Sequence, residues 1–137
     1  MAIVGTGVDL ERVSAIERAI ARHGERFLKR IFTASEIAYC HGRAPLVSRG
    51  AGEGPRSAQS FTARFCAKEA FRKALGAPPG IRWVDIEVAK APSGAPLLKL
   101  HARAAELLRV AGVTRCHLSL SHSGDYAIAH VVLEREP

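Results

Sequence analysis

The segment FTARFCAKEAFRKAL, residues 61–75, constrains the fold more than any other stretch of the chain. Phe61, Phe65, Ala67, Ala70 and Ala74 recur at the spacing of a helix with about 3.6 residues per turn and can pack inward. Gly76 and the Pro78-Pro79 pair end that helix. Glu69 stands among these small and aromatic residues, where an unpaired carboxylate would be costly. Lys73 follows one turn later, in the favourable Glu-to-Lys order. Two readings are open. The pair is a helix-surface ion pair worth roughly 0.2–0.5 kcal/mol, or the carboxylate is kept for a divalent cation and the lysine faces a phosphate. Two carboxylates completed by phosphate oxygens and water suit Mg²⁺, which rarely has an all-protein cage.

The rest of the chain alternates helical and strand patterns. Residues 3–8 read as a short glycine-containing strand, with Asp9 where the strand gives way to a helix bearing Val13, Ile16 and Ile20 on one face. Asp9 reads equally as the N-cap of that helix. Phe27, Leu28 and Ile31 form a second apolar cluster beyond Gly24, and Thr33-Ala34-Ser35-Glu36 matches a capping box opening a helix through about Cys40. Residues 42–60, rich in Gly, Ser, Pro and Arg, read as a loop within the domain. Residues 83–88 alternate as a half-buried strand, and 96–100 form its partner after the Ala91-Pro92-Ser93-Gly94 turn. A helix over 101–111, a strand over 115–121 and a last strand over 126–133 complete an α+β domain with an antiparallel sheet, spanning residues 1–137.

Composition narrows the function class. The chain carries net charge +7, and 15 of its 20 basic residues are arginine. Arginine's planar fork favours phosphate and carboxylate partners. The excess is local: residues 12–30 hold net +4 and residues 43–73 net +5, while everything else sums to −2. A solvated basic face, a nucleic-acid footprint and a docking surface for an acidic or phosphorylated partner all fit that charge. The aromatics are few and the five Phe sit in apolar helical patterns, which argues against a stacking platform for single-stranded bases. Cys40, Cys66 and Cys116 are odd in number and lack a CxxC pair, which argues against a disulfide framework or zinc site. The N-terminal segment does not read as a secretory leader, and no run approaches the roughly 20 apolar residues of a membrane span. A cytoplasmic protein with no membrane partner is expected.

Ser119-Leu120-Ser121-His122-Ser123 crowds hydroxyls and an imidazole at a strand end, with turn formation as the ordinary reading. There is no GxSxG elbow and no Walker loop, and Gly5-Thr6-Gly7 lacks the third glycine of a dinucleotide fingerprint.

Three segments together resemble a known family: Gly5-x-Gly7-Val8-Asp9, Arg64-Phe65-Cys66-Ala67-Lys68-Glu69-Ala70-Phe71-x-Lys73-Ala74, and Ser119-x-Ser121-His122-Ser123-x-x-Tyr126-Ala127. With Trp83-x-Asp85-Ile86-Glu87-Val88 and Gly94-x-Pro96 between them, the chain is similar throughout to the holo-acyl-carrier-protein synthases, the short, single-domain 4′-phosphopantetheinyl transferases. The resemblance implies transfer of the phosphopantetheine arm of coenzyme A to a serine of an acyl carrier protein, with Mg²⁺. By that resemblance Asp9 and Glu69 hold the metal, and Glu69 and Lys73 are the catalytic pair. Arg64, Lys68, Lys73, Ser121 and His122 bind coenzyme A. Glu69 or a metal-bound water takes the serine proton. The resemblance also implies a homotrimer with active sites between subunits, and fatty-acid biosynthesis as the setting. Carriers of polyketide or peptide synthetases are the alternative substrates.

An acidic carrier fits a basic helix after Asp9, with Arg12, Arg18, Arg22 and Arg26 as candidate docking residues. Here the chain departs from the family pattern Asp-Ile-x-Glu-Ile-x-Arg-Ile: Arg12 stands where an acid is usual and Ala15 where an arginine is usual. The loop at 46–57 is also longer than the pattern implies, which suits a segment folding over coenzyme A or disordered without it.

Overall fold

A computed structural model describes residues 1–42 and 56–137, the Arg56 side chain excepted, and the loop expected at 46–57 falls almost wholly outside the described residues. Strand β1 (Ala2–Arg12) leads into helices α1 (Val13–His23), α2 (Glu25–Ile31) and α3 (Ala34–His41). Then come the long helix α4 (Arg56–Ala74), the hairpin β2 (Ile86–Lys90) and β3 (Pro96–Leu100), helix α5 (Ala102–Val110), and the hairpin β4 (Arg115–Ser123) and β5 (Tyr126–Arg135). The first strand joins the last hairpin in a three-stranded antiparallel sheet of order β1-β5-β4, and β2-β3 form a second, two-stranded sheet. The expected α+β class holds, with two sheets where one was expected.

Helix α4 lies across the three-stranded sheet, and the sequence explains how closely. A Cβ at Gly7 would meet Ala70 O at 1.9 Å, and one at Gly5 would meet Ala74 O at 2.0 Å. Further along β5, Ala129 and Ala127, paired with Asp9 and Glu11, are fully buried, as are Ala67 and Ala70 on the helix. Glycine and alanine on both sides bring backbone to backbone. A second core of Ile16, Leu28, Ile31, Phe32, Cys40 and Phe61 joins α1, α2, α3 and the start of α4.

Three boundaries differ from expectation. Strand β1 does not stop at Val8: its pairing continues through Asp9↔Ala129 and Glu11↔Ala127 to Arg12↔Tyr126. The two inward carboxylates interrupt the apolar alternation by which a strand is read. Helix α4 begins before Phe61, within the segment expected as loop, because Ala58 and Gln59 are buried and the Thr62 hydroxyl donates to Ala58 O at 2.7 Å. Residues Trp83–Asp85 form a 3-10 turn in place of strand, with Asp85 Oδ2 accepting from Arg82 N at 3.1 Å. The Thr33 capping box is present on both sides, and Gly24 breaks α1 from α2 at φ 57°.

Candidate active site

Strand β1 and helix α4 bring Asp9, Glu69 and Lys73 together. The glycine contact sets the strand against the helix, and two residues later Asp9 points inward beside the last turn of α4. The Lys73 ammonium donates to Asp9 Oδ1 and to Val8 O, both at 3.0 Å. Asp9 therefore does not cap α1, whose N-cap position is Arg12. The Asp9 side chain is 8% exposed, and no donor reaches its buried Oδ2. A buried carboxylate oxygen without a donor is costly, and a cation would relieve it.

The charges around Asp9 act on one another. Burial raises the Glu69 carboxyl above its ordinary value and the Asp9 charge raises it further, opposed by Arg72 and Lys73. Lys73 is raised, first by its hydrogen bond to Asp9. Sequence reading missed Glu11, which faces the same group. Its carboxyl is raised by burial and then by the Asp9 charge, with Glu69 adding and Lys73 opposing. The signal was its place two residues after Asp9, on the same face of a strand, but the strand was expected to end earlier. Beneath them, burial and then the Asp9 charge push the Cys66 thiol up to about 12, so it stays protonated.

These groups fit a hard divalent cation. Their donors are carboxylate oxygens, one of them buried and unsatisfied, which suits Mg²⁺ held by one or two carboxylates and completed by substrate phosphate. Among the described residues no three His, Cys, Asp or Glu side chains form a preformed metal cluster.

Arg64, Ser121 and His122 meet at a second place. They line a hollow of about 200 Å³ with Tyr39, Gln59, Ser60, Ala63, Lys90 and Leu120. The Arg64 guanidinium lies 4.3 Å from the centroid of the Tyr39 ring, and its buried Nε has no partner. Arg64 precedes Glu69 on α4 by five residues, about 7.5 Å of helix. Tyr39 and Lys90 come from α3 and the end of β2, and no local motif marks them in the sequence.

Lys68 does not join either place. It was expected to contribute to binding coenzyme A, yet its side chain is fully buried and its ammonium is spent inside the core. It donates to Glu36 Oε1 at 2.8 Å, to Trp83 O at 3.2 Å and to Ile86 O. Glu36 in turn accepts from Thr33 N at 2.9 Å and Val88 N at 3.0 Å. No donor of Lys68 is left for a phosphate.

The candidate docking arginines lie at the end of β1 and on α1 and α2, all exposed. Arg18 and Arg22 border a hollow along α1 with Ala15, Ala19, Ala21 and His23. Cys40, Cys66 and Cys116 form no disulfide, and no helix among the described residues is long and apolar enough to cross a membrane.

Comparison with known proteins gives the family and the fold. The family described as "4'-phosphopantetheinyl transferase superfamily" matches residues 5–131. The chain is 43% identical over 134 residues to the holo-[acyl-carrier-protein] synthase of Koribacter versatilis, covering 96% of this chain and 98% of that protein. It is 44% identical to that of Solibacter usitatus over the same shares. Among solved structures it is similar to the holo-(acyl-carrier-protein) synthase from Bacillus anthracis in complex with CoA (3',5'-ADP), with TM-score 0.73, 32% identity and 98% of both chains covered. The Helicobacter pylori holo-[acyl-carrier-protein] synthase in complex with coenzyme A gives TM-score 0.75 at 29% identity, covering 94% of this chain and 99% of that one. With the fold and almost the whole length matched, the chain belongs to the 4′-phosphopantetheinyl transferase superfamily.

Proposed function

We propose that this protein transfers the 4′-phosphopantetheine arm of coenzyme A to a serine hydroxyl of an apo-acyl carrier protein, releasing adenosine 3′,5′-bisphosphate. The observation that carries the reading is the buried, donor-less Asp9 Oδ2 beside Glu69 and Lys73, in a chain whose relatives are named for this activity. The serine oxygen attacks the phosphorus bearing the pantetheine arm, and the bond from that phosphorus to the oxygen of the departing bisphosphate breaks. Glu69, beside Asp9 and Lys73, takes the serine proton. Lys73, half-exposed and held by Asp9, offsets charge on the pyrophosphate. Asp9 and Glu69 hold Mg²⁺, which when bound neutralises pyrophosphate charge.

Arg64, Ser121 and His122 bind the nucleotide end of coenzyme A in the hollow they share. The carrier, an acidic protein, docks on Arg12, Arg18, Arg22 and Arg26, where opposite charge favours both encounter and register. Val8, Leu10, Tyr126 and Ile128 are 52%, 58%, 39% and 38% exposed on the outer face of the three-stranded sheet. An apolar sheet face of this kind marks a protein interface, and it supports a homotrimer with sites completed between neighbours. Fatty-acid synthesis in the cytoplasm is the setting that suits the three thiols and the relatives' names.

Mass spectrometry of apo-carrier incubated with coenzyme A and Mg²⁺ tests the reading. One phosphopantetheine arm should appear on the carrier serine, and no gain with fatty-acid, polyketide or peptide-synthetase carriers would end it.

A further inference from the structure

Helix α1 has no cap of its own. Arg12, at the N-cap position, makes no side-chain cap bond, and the first turn contains no acid. The cap comes from the far end of the chain. Asp125, in the turn between β4 and β5, accepts three hydrogen bonds at that helix start. Its carbonyl takes Val13 N at 2.8 Å, its Oδ1 takes Ser14 N at 2.9 Å, and its Oδ2 takes the Ser14 hydroxyl at 2.5 Å. The residues bonded through the side chain are 111 positions apart.

Neighbouring contacts reinforce the clasp. The Arg12 guanidinium lies 4.9 Å from the centroid of the Tyr126 ring, one residue past Asp125. The Ser14 hydrogen bond holds the Asp125 carboxyl below its ordinary value, with the Arg12 and Arg18 charges adding to it. A negative side chain at a helix N-terminus is also favoured by the helix dipole. The hairpin that ends in this turn carries Ser121 and His122, which line the hollow with Arg64. One carboxylate therefore ties the helix with Arg18 and Arg22 to the strand end with His122.

We infer that Asp125 is a positioning residue: by capping α1 from the β4–β5 turn it fixes the carrier-docking helix against the hairpin that lines the coenzyme A hollow. The inference rests on the reading of α1 as the docking helix, and it adds that the carrier seat is set from the nucleotide side. Asp125 touches neither substrate. Its loss loosens the start of α1 and moves Arg12 and Arg18, whereas Asp9, Glu69, Lys73 and the hollow keep their own supports. The effect therefore falls on the carrier and spares coenzyme A.

The test compares wild type with Asp125→Ala, Asp125→Asn and Ser14→Ala in three measurements: amide hydrogen exchange, calorimetric titration with an acidic apo-acyl carrier protein, and steady-state kinetics. In Asp125→Ala the amides at the start of α1 should exchange about tenfold faster, the change that loss of an ordinary helix cap brings. The Kd and KM for the carrier should rise by a similar factor, while kcat and the KM for coenzyme A stay within about twofold of wild type. Asp125→Asn keeps an acceptor for Ser14 N and should recover part of the carrier affinity. Ser14→Ala loses one bond and should fall between wild type and Asp125→Ala. Faster exchange at α1 with unchanged carrier affinity would overturn the inference, as would equal loss of affinity for both substrates. A wild-type protein that neither binds nor modifies any carrier would remove the proposed function and this inference with it. A wild type that modifies carriers while Asp125→Ala binds them equally well would remove this inference alone.

Discussion

Two lysines on α4, five residues apart, meet two carboxylates in opposite ways. Lys68 and Glu36 are both 0% exposed, and every donor of the ammonium and both carboxylate oxygens are used, on α3, β2 and the turn before it. Lys73 is 49% exposed and Asp9 8%, and Asp9 keeps one oxygen without a donor. Burial lowers Lys68, whereas the Asp9 hydrogen bond raises Lys73. A closed network has nothing to offer a ligand; it fixes which way the helix faces. An open one retains unmet bonding at the place where a partner can supply it. The motif Lys68-Glu69 thus divides its work within two consecutive residues, the first holding the helix and the second standing with Asp9 and Lys73.

Breaking the open group should cost the most function. Glu69→Gln removes a base and a cation ligand together, and transfer to the carrier should fall by roughly 10²–10⁴-fold, with the denaturation midpoint held. A variant that keeps most of its rate would show that neither role belongs to Glu69. Breaking the closed group should cost stability instead. Lys68→Met leaves Glu36 as a buried charge without its partner, so about 3–5 kcal/mol of folding stability should be lost in urea titration. A loss under 1 kcal/mol would mean that the pair is not the anchor the geometry implies.

Much of this contrast was legible in the chain, and the gaps have physical reasons. Glu69 could be singled out as a carboxylate among alanines and aromatics with Lys73 one turn on, whereas Asp9 was joined to them through the family resemblance. Their neighbour Glu11 escaped because two inward carboxylates hide a strand's alternation. Lys68 was misplaced for a similar reason: beside Glu69 and Arg64 it looks like part of the basic cluster. Its partner Glu36 was read correctly as a capping-box acid, but nothing local shows that its second role is a salt bridge across 32 residues. The Asp125 cap is equally invisible, since residues at opposite ends of the chain meet only once β1 has paired with β5. Short-range signals such as the Thr33 box and the Gly24 break carried through unchanged.

The smallest effect concerns Lys73 and pH. Its folded value is raised by Asp9, so the stability it brings is fully present below the unfolded lysine value of about 10.4 and is lost as pH rises through the folded one. Because the lysine is half-exposed, the contribution is under about 1 kcal/mol. Lys73→Met should therefore show a flatter alkaline limb of stability than wild type does. An unchanged alkaline limb would show that the Asp9–Lys73 link adds nothing to folding.

The central claim is that Asp9 keeps a buried oxygen open for a divalent cation at the expense of stability. Calorimetric titration of Mg²⁺ into coenzyme A-saturated protein tests it most directly, comparing wild type with Asp9→Asn. Saturable binding in the wild type and none in Asp9→Asn, whose thermal midpoint is equal or higher, is the result this account predicts. Equal Mg²⁺ affinity in both proteins would contradict it.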